Sequence, residues 1–191
     1  ISYATPFCNT SVSEAVTLNG TGAYSGGTFS STAGLVINAT TGVIDPSTSV
    51  AGTYTVIYTI PASGGCLSAT ASTSITINVQ PTAGIDGGTV VCDSSTTAVD
   101  LFSLISGEQT GGNWIRISGT GGTFNAVAGT FTPSAGATTS TFEYTVNGVA
   151  PCISDVSVAT ITINAQPTAG NDGSTVVCDS STTSVDLFSL I

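Results

Sequence analysis

Pro81–Ile105 reads PTAGIDGGTVVCDSSTTAVDLFSLI, and Pro167–Ile191 reads PTAGNDGSTVVCDSSTTSVDLFSLI. The two stretches differ only at Ile85/Asn171, Gly88/Ser174 and Ala98/Ser184, and they lie 86 residues apart. The residues before them repeat at the same offset, Ile75-Thr76-Ile77-Asn78 recurring as Ile161-Thr162-Ile163-Asn164. A fixed period of this kind marks a chain of like units stacked in series. Residues 1–80 read as a diverged relative of the same unit. Gly26-Gly27-Thr28-Phe29 parallels Gly121-Gly122-Thr123-Phe124, Ile44-Asp45-Pro46-Ser47 parallels Phe131-Thr132-Pro133-Ser134, and Tyr54-Thr55-Val56 parallels Phe142-Glu143-Tyr144. The expected organisation is one module over 1–80, a second over 81–166, and the truncated start of a third over 167–191.

Within each unit the hydrophobic period is two. Tyr54, Val56, Tyr58 and Ile60 share one face with Thr53, Thr55 and Thr59 on the other, Phe142, Tyr144 and Val146 lie opposite Thr141, Glu143 and Thr145, and Ile75, Ile77 and Val79 share one face. Alternation bounded by Gly, Pro, Asn and Ser is the pattern of half-buried strands. Threonine suits their wet faces, because its branched Cβ fits the pleat and its hydroxyl meets water. Val99–Ile105 also reads as a strand, since it is short, β-branched and flanked by turn residues. Six to eight short strands per unit predict an all-β fold of tandem immunoglobulin-like β-sandwich modules. Gln80-Pro81 and Gln166-Pro167 read as short linkers, because proline gives no N–H to a ladder and holds its predecessor extended.

Composition excludes whole classes of function. The 191 residues include one cation, Arg116, against eleven acids, with no His, giving a formal net charge of −10. Nothing here neutralises phosphates, so no nucleic acid is expected as a partner. No apolar run approaches the ~18 residues of a spanning helix, so no membrane insertion is expected. Zero His removes the Ser/His/Asp and Cys/His nucleophile sets, and zero Lys removes Ser–Lys pairs. Asp93, Asp100, Glu108, Glu143 and Asp155 are the carboxylates that glycoside hydrolysis would draw on. Asp93 and Asp100 recur as Asp179 and Asp186 with the whole segment, which favours solvated acids over a catalytic pair. The chain is expected not to be an enzyme.

Five cysteines remain, Cys8, Cys66, Cys92, Cys152 and Cys178. Each complete unit holds one near its start and one just before its last strand. This predicts the bridges Cys8–Cys66 and Cys92–Cys152 within units, with Cys178 as the one free thiol. No His and no CxxC pair supports zinc. Asp86, with its repeat Asp172, is the candidate calcium ligand just past each joint, although one acid per joint falls short of the ~6–8 oxygens calcium takes. Trp114 is a candidate sugar-stacking platform with no evident counterpart in the first unit; the competing reading places it in the sandwich core. Asn9-Thr10-Ser11, Asn19-Gly20-Thr21 and Asn38-Ala39-Thr40 match N-glycosylation sequons.

CDSSTTAVDLFSL (Cys92–Leu104), GGTFNAVAGTFTPSAGATTSTFEYTV (Gly121–Val146) and TYTVIYTIPASGGC (Thr53–Cys66) together resemble the repeats of SprB-type gliding-motility surface adhesins of Bacteroidota. The resemblance implies export by type IX secretion, display on the outer membrane of a Gram-negative cell and propulsion by the gliding machinery. It also implies contact with extracellular surfaces or polysaccharide through the parent adhesin. It transfers no binding residue. The function expected is therefore a structural stalk segment of a cell-surface filament, its partners being neighbouring repeats of the same chain. The alternatives are an array of carbohydrate-binding modules and a self-assembling surface filament in which 167–191 pairs with a neighbour.

Overall fold

The computed structural model describes residues 1–20 and 25–191; Thr21 of the second sequon lies outside them. The chain is all-β. Its strands are β1 (Phe7–Cys8), β2 (Thr28–Ser31), β3 (Gly52–Ile60), β4 (Ala69–Asn78), β5 (Gly87–Cys92), β6 (Val99–Asp100), β7 (Asn113–Ser118), β8 (Thr123–Asn125), β9 (Thr130–Thr132), β10 (Ser140–Val146) and β11 (Asp155–Asn164). They form two four-stranded sheets, ordered β1-β4-β3-β2 and β5-β11-β10-β7, and a three-stranded sheet ordered β6-β9-β8. No helix among the described residues is long and apolar enough to cross a membrane.

Two separate apolar cores result. One gathers Tyr3, Phe7, Phe29, Leu35, Ile44 and the inward face of β3 and β4. The other gathers Leu101, Trp114, Phe131, Phe142, Tyr144 and Ile161. We call the regions around them the first and second units. In the second unit the core lies between two sheets: Phe131 of β9 meets Phe142 of β10 at 5.1 Å between ring centroids, and Phe124 of β8 meets it at 4.9 Å. This arrangement is compatible with a β-sandwich. The alternation read from the sequence holds in β3 and β10, whose inward residues are buried. Val79 departs from it, lying beyond the end of β4 and exposed.

The ladder registers correct two of the sequence parallels. Tyr58 pairs with Ala71 in the first unit and Tyr144 pairs with Ser157 in the second, so the 86-residue offset runs through these strands without a slip. Val56 therefore answers to Phe142, and Tyr54 to Ser140, rather than Tyr54 to Phe142. Likewise β2 pairs Phe29 with Tyr58 as β7 pairs Trp114 with Tyr144. Gly27-Thr28-Phe29 thus corresponds to Gly112-Asn113-Trp114, not to the Gly-Gly-Thr-Phe stretch at 121–124. The backbone N–H groups of Gly27 and Gly112 each donate to the hydroxyl of the matching tyrosine, both at 2.9 Å. A Cβ at Gly27 would come to 2.5 Å from the Tyr58 ring, and one at Gly112 to 2.6 Å from the Tyr144 ring, which is why both positions are glycine. The Ile44 and Phe131 parallel stands, since each pairs antiparallel with two flanking segments, around 14 and 37 in one case and 99 and 124 in the other.

Val99–Ile105 is a strand only over its first two residues. Asp100 then turns the chain: its carboxylate accepts from Phe102 N at 3.0 Å, and Leu104 N donates to Leu101 O at 3.1 Å. The turn buries Leu101 and Ile105 together, four residues apart, which a strand would place on the same face but too far from one another to fill one pocket. The repeat does the same: Leu187–Leu190 is a 3-10 turn with the Asp186 side chain accepting from Phe188 N. Residues 167–191 hold no strand.

Candidate functional site at the Cys8–Cys152 joint

The parallel pairing of the first and last strands decides the cysteine chemistry. Phe7 lies opposite Ile77 and Cys8 opposite Asn78, so Cys8 sits at the exit of β4. Cys66 lies in the β3–β4 loop, at the entrance of the same strand. A ten-residue strand at ~3.3 Å per residue separates the two by about 30 Å. A disulfide needs Cα atoms within about 7 Å. Cys92 stands opposite Asn164 at the exit of β11, while Cys152 precedes its entrance, so the second expected pair is separated in the same way.

The bridge that forms instead is Cys8–Cys152, across the two units, with Cα atoms 5.0 Å apart and a sequence separation of 144. Both within-unit bridges expected from the spacing are thereby corrected. Cys66, Cys92 and Cys178 are free, so the chain has three free thiols rather than one.

The exit of the first unit meets the β10–β11 loop of the second through a set of polar contacts. Asn78 Nδ2 donates to Ala150 O at 2.9 Å and to Val149 O at 3.4 Å. Gln80 Nε2 donates to Ile153 O at 2.9 Å, and its N–H donates to Asn9 Oδ1 at 2.8 Å. Cys8 and Cys152 are both buried. Side-chain amides of one unit thus bond loop carbonyls of the other at the exposed rim of the buried bridge. Past the joint, Ala83 N donates to Asp155 Oδ2 at 2.8 Å, anchoring the start of the second unit to its own last strand. Asn78 and Gln80 escaped the sequence reading. Their signal was in the repeat: Asn78/Asn164 and Gln80/Gln166 persist while Val79/Ala165 between them changes.

The other candidates disperse. Trp114 is 3% exposed and packs edge-on to Phe102 at 5.5 Å and tilted on Tyr144 at 5.1 Å. It is core, its counterpart is Phe29, and the sugar-platform reading is withdrawn. Asp86 Oδ1 accepts from Val158 N at 2.8 Å and from Ser157 Oγ at 3.2 Å, so its carboxylate closes the β5–β11 edge. Asp172 is exposed. Among the described residues no group of three or more Cys, Asp and Glu side chains gathers as a metal site. Asp93, Asp100 and Asp155 each accept from backbone N–H groups in different places, and Glu143 accepts from Thr145 on the outer face. No two of them are brought together as an acid–base pair by these bonds. Asn38 Oδ1 accepts from Thr40 N and Thr41 N, a turn that Asn125 repeats on Val127 and Ala128. Arg116, the one cation, donates to Ser118 O, Gly121 O and Ser140 Oγ and lies over the Phe131 ring at 5.2 Å. It is a structural clamp.

No protein-family model and no curated protein matches the chain.

Proposed function

We propose that the chain is a stalk segment of a large secreted cell-surface adhesin filament. Its units are immunoglobulin-like modules on short Pro-containing linkers, strung in series with tension routed through the bond between them, and the filament serves gliding motility and attachment. The observation that carries this reading is the Cys8–Cys152 bridge across Gln80-Pro81. A covalent link between consecutive units puts load on a bond rather than on either core, and bridges of this kind persist in oxidising, extracellular compartments. Strand order supports the immunoglobulin-like assignment. With β5 to β11 lettered A to G, one sheet is B-E-D and the other A-G-F-C, which is the immunoglobulin arrangement with the first strand moved to the opposite sheet. The resemblance to gliding adhesins supplies the type IX export route and the outer-membrane address.

Single-molecule stretching tests the mechanical part. With the bridge intact, the 144-residue span between Cys8 and Cys152 stays hidden from force; reduction should release about 500 Å of extra contour at ~3.5 Å per residue. Equal extension with and without reductant would refute the load path. Antibodies to the chain should label intact, unpermeabilised cells of the producing organism; labelling only after permeabilisation would refute the surface address.

A further inference from the structure

The bridge at the joint is enclosed by bonds that do not depend on it. Cys8 is 4% exposed and Cys152 6%, so a thiol in solution does not reach either sulfur while the joint is closed. Three amide bonds cross between the units around them, Asn78 Nδ2 to Ala150 O and Val149 O, and Gln80 Nε2 to Ile153 O. None of them involves a sulfur atom. Both side chains are set from their own unit: Asn9 N donates to Asn78 O at 2.9 Å, and Gln80 N donates to Asn9 Oδ1 at 2.8 Å.

The sulfurs are also placed for the reduced state. Cys8 Sγ lies 3.4 Å from Gln80 Oε1, and Cys152 Sγ lies 3.5 Å from Asn78 O. In the bridged form neither sulfur carries a proton, so neither donates to these oxygens. In the dithiol each S–H has an acceptor at hand. Gln80 thus faces both ways, its nitrogen holding Ile153 across the joint and its oxygen facing Cys8.

We propose that the joint is a redox latch, in which Asn78 and Gln80 hold Cys8 and Cys152 side by side whether the two are bonded or reduced. Reduction waits on the opening of the amide contacts, and the reduced pair closes again on itself. The rim bonds are enough to align two thiols and too few to make the two cores melt as one. The reductant is a small-molecule thiol such as glutathione. One glutathione thiolate attacks a bridge sulfur, forms a mixed disulfide and expels the other cysteine as a thiolate. A second glutathione thiolate attacks the glutathione sulfur of the mixed disulfide and expels the first cysteine. One protein disulfide is reduced, one glutathione disulfide forms, and the two glutathione protons end on Cys8 and Cys152; resealing is the reverse. The inference deepens the serial-joint reading above and rests on it, since it lets a reduced joint be resealed between the same two residues.

The test starts from the folded, oxidised chain with Cys66, Cys92 and Cys178 alkylated, so that only the bridge reacts. Glutathione is added, and the Cys8 and Cys152 thiols are followed by acid quench and peptide mapping. Replacing Asn78 and Gln80 by Ala, which leaves both cysteines in place, should speed reduction about fivefold. It should also lower about fivefold the effective concentration of the pair, measured against glutathione in a redox buffer. Asn164→Ala with Gln166→Ala, matching residues that touch neither bridge sulfur, should leave both values unchanged. Gln80→Glu keeps the shape and the oxygen but loses the Nε2 donor. It should speed reduction as Gln80→Ala does, and it carries the test if the double variant does not fold. Rates and effective concentrations that ignore Asn78 and Gln80, or that change as much in the 164/166 chain, would overturn the proposal. Absence of Cys8–Cys152 from the starting map overturns the joint reading as a whole, whereas its presence with unchanged rates overturns only this inference.

Discussion

Where the first unit carries Tyr54, the second carries Ser140, and the two solve the same packing problem from different strands. Tyr54 is buried and its hydroxyl donates back to Val50 O. Ser140 is fully buried and too small to do this; its hydroxyl donates to Thr138 O at 2.8 Å and accepts from Arg116 Nη2 at 2.6 Å. Arg116 comes from β7, whose counterpart β2 has Ser31 in its place. One unit therefore uses a long side chain from its third strand beside a serine, and the other a serine beside a long side chain from its neighbour. Phe29 and Val56 likewise become Trp114 and Phe142. What the units keep is the set of bonds aimed at backbone: glycine N–H to tyrosine hydroxyl, the asparagine turns at 38 and 125, and the strand-exit bonds at 9 and 93. Apolar filling is exchangeable if total volume is kept, whereas a backbone bond has one geometry.

The largest expected effect falls on the joint. Cys152→Ser removes a closure of 144 residues, worth up to about 5 kcal/mol in loop entropy. The two cores should then melt as separate transitions in calorimetry, and a single shared transition in the variant would show that they are coupled by more than the bridge. Next come the cores. Phe142→Ala should cost the second unit about 3–5 kcal/mol, and Val56→Ala at the same register should cost the first about 1.5–3 kcal/mol. Denaturant titration reads both, and equal losses would contradict the unequal filling.

Arg116→Ser should cost about 2 kcal/mol, because it strips one buried hydroxyl of its donor and two carbonyls of theirs. Adding Ser140→Tyr, which imports the first unit's solution, should recover most of that loss; if it deepens the loss instead, the exchange described above is not one.

The smallest effect depends on pH and should separate the two ends. Asp93 is held below the usual carboxylate range, chiefly by the backbone N–H of Gln166. Its contribution is therefore present at neutral pH and is lost as pH falls through that lowered value, below the ordinary 3.8. Asn9, at the matching place, does not titrate. Amide exchange at Gln166 should quicken in acid while exchange at Gln80 does not. At the alkaline side the order reverses. Burial pushes the Tyr3 hydroxyl up to about 12 from 10.0, so the first unit loses stability as pH rises from 10.0 towards about 12. Equal behaviour of the two units at both extremes would remove this distinction.

The all-β class, the 86-residue period and the inward faces of β3 and β10 were legible before any folding, because periodicity and repetition are local properties of a chain. Composition also removed the nucleophile sets that need His or Lys, since neither residue occurs in the sequence. Which cysteines meet depends on how the strands align in the folded chain. Spacings of 58 and 60 residues, from Cys8 to Cys66 and from Cys92 to Cys152, invite pairing within units. Running β1 parallel to β4 carries Cys8 a strand's length away from Cys66 and delivers it to the next unit's loop. The direction in which two distant strands align leaves no mark on the spacing of the residues they carry. For the same reason Trp114 had to be seen packed on Phe102 and Tyr144 before its counterpart, Phe29, was recognisable.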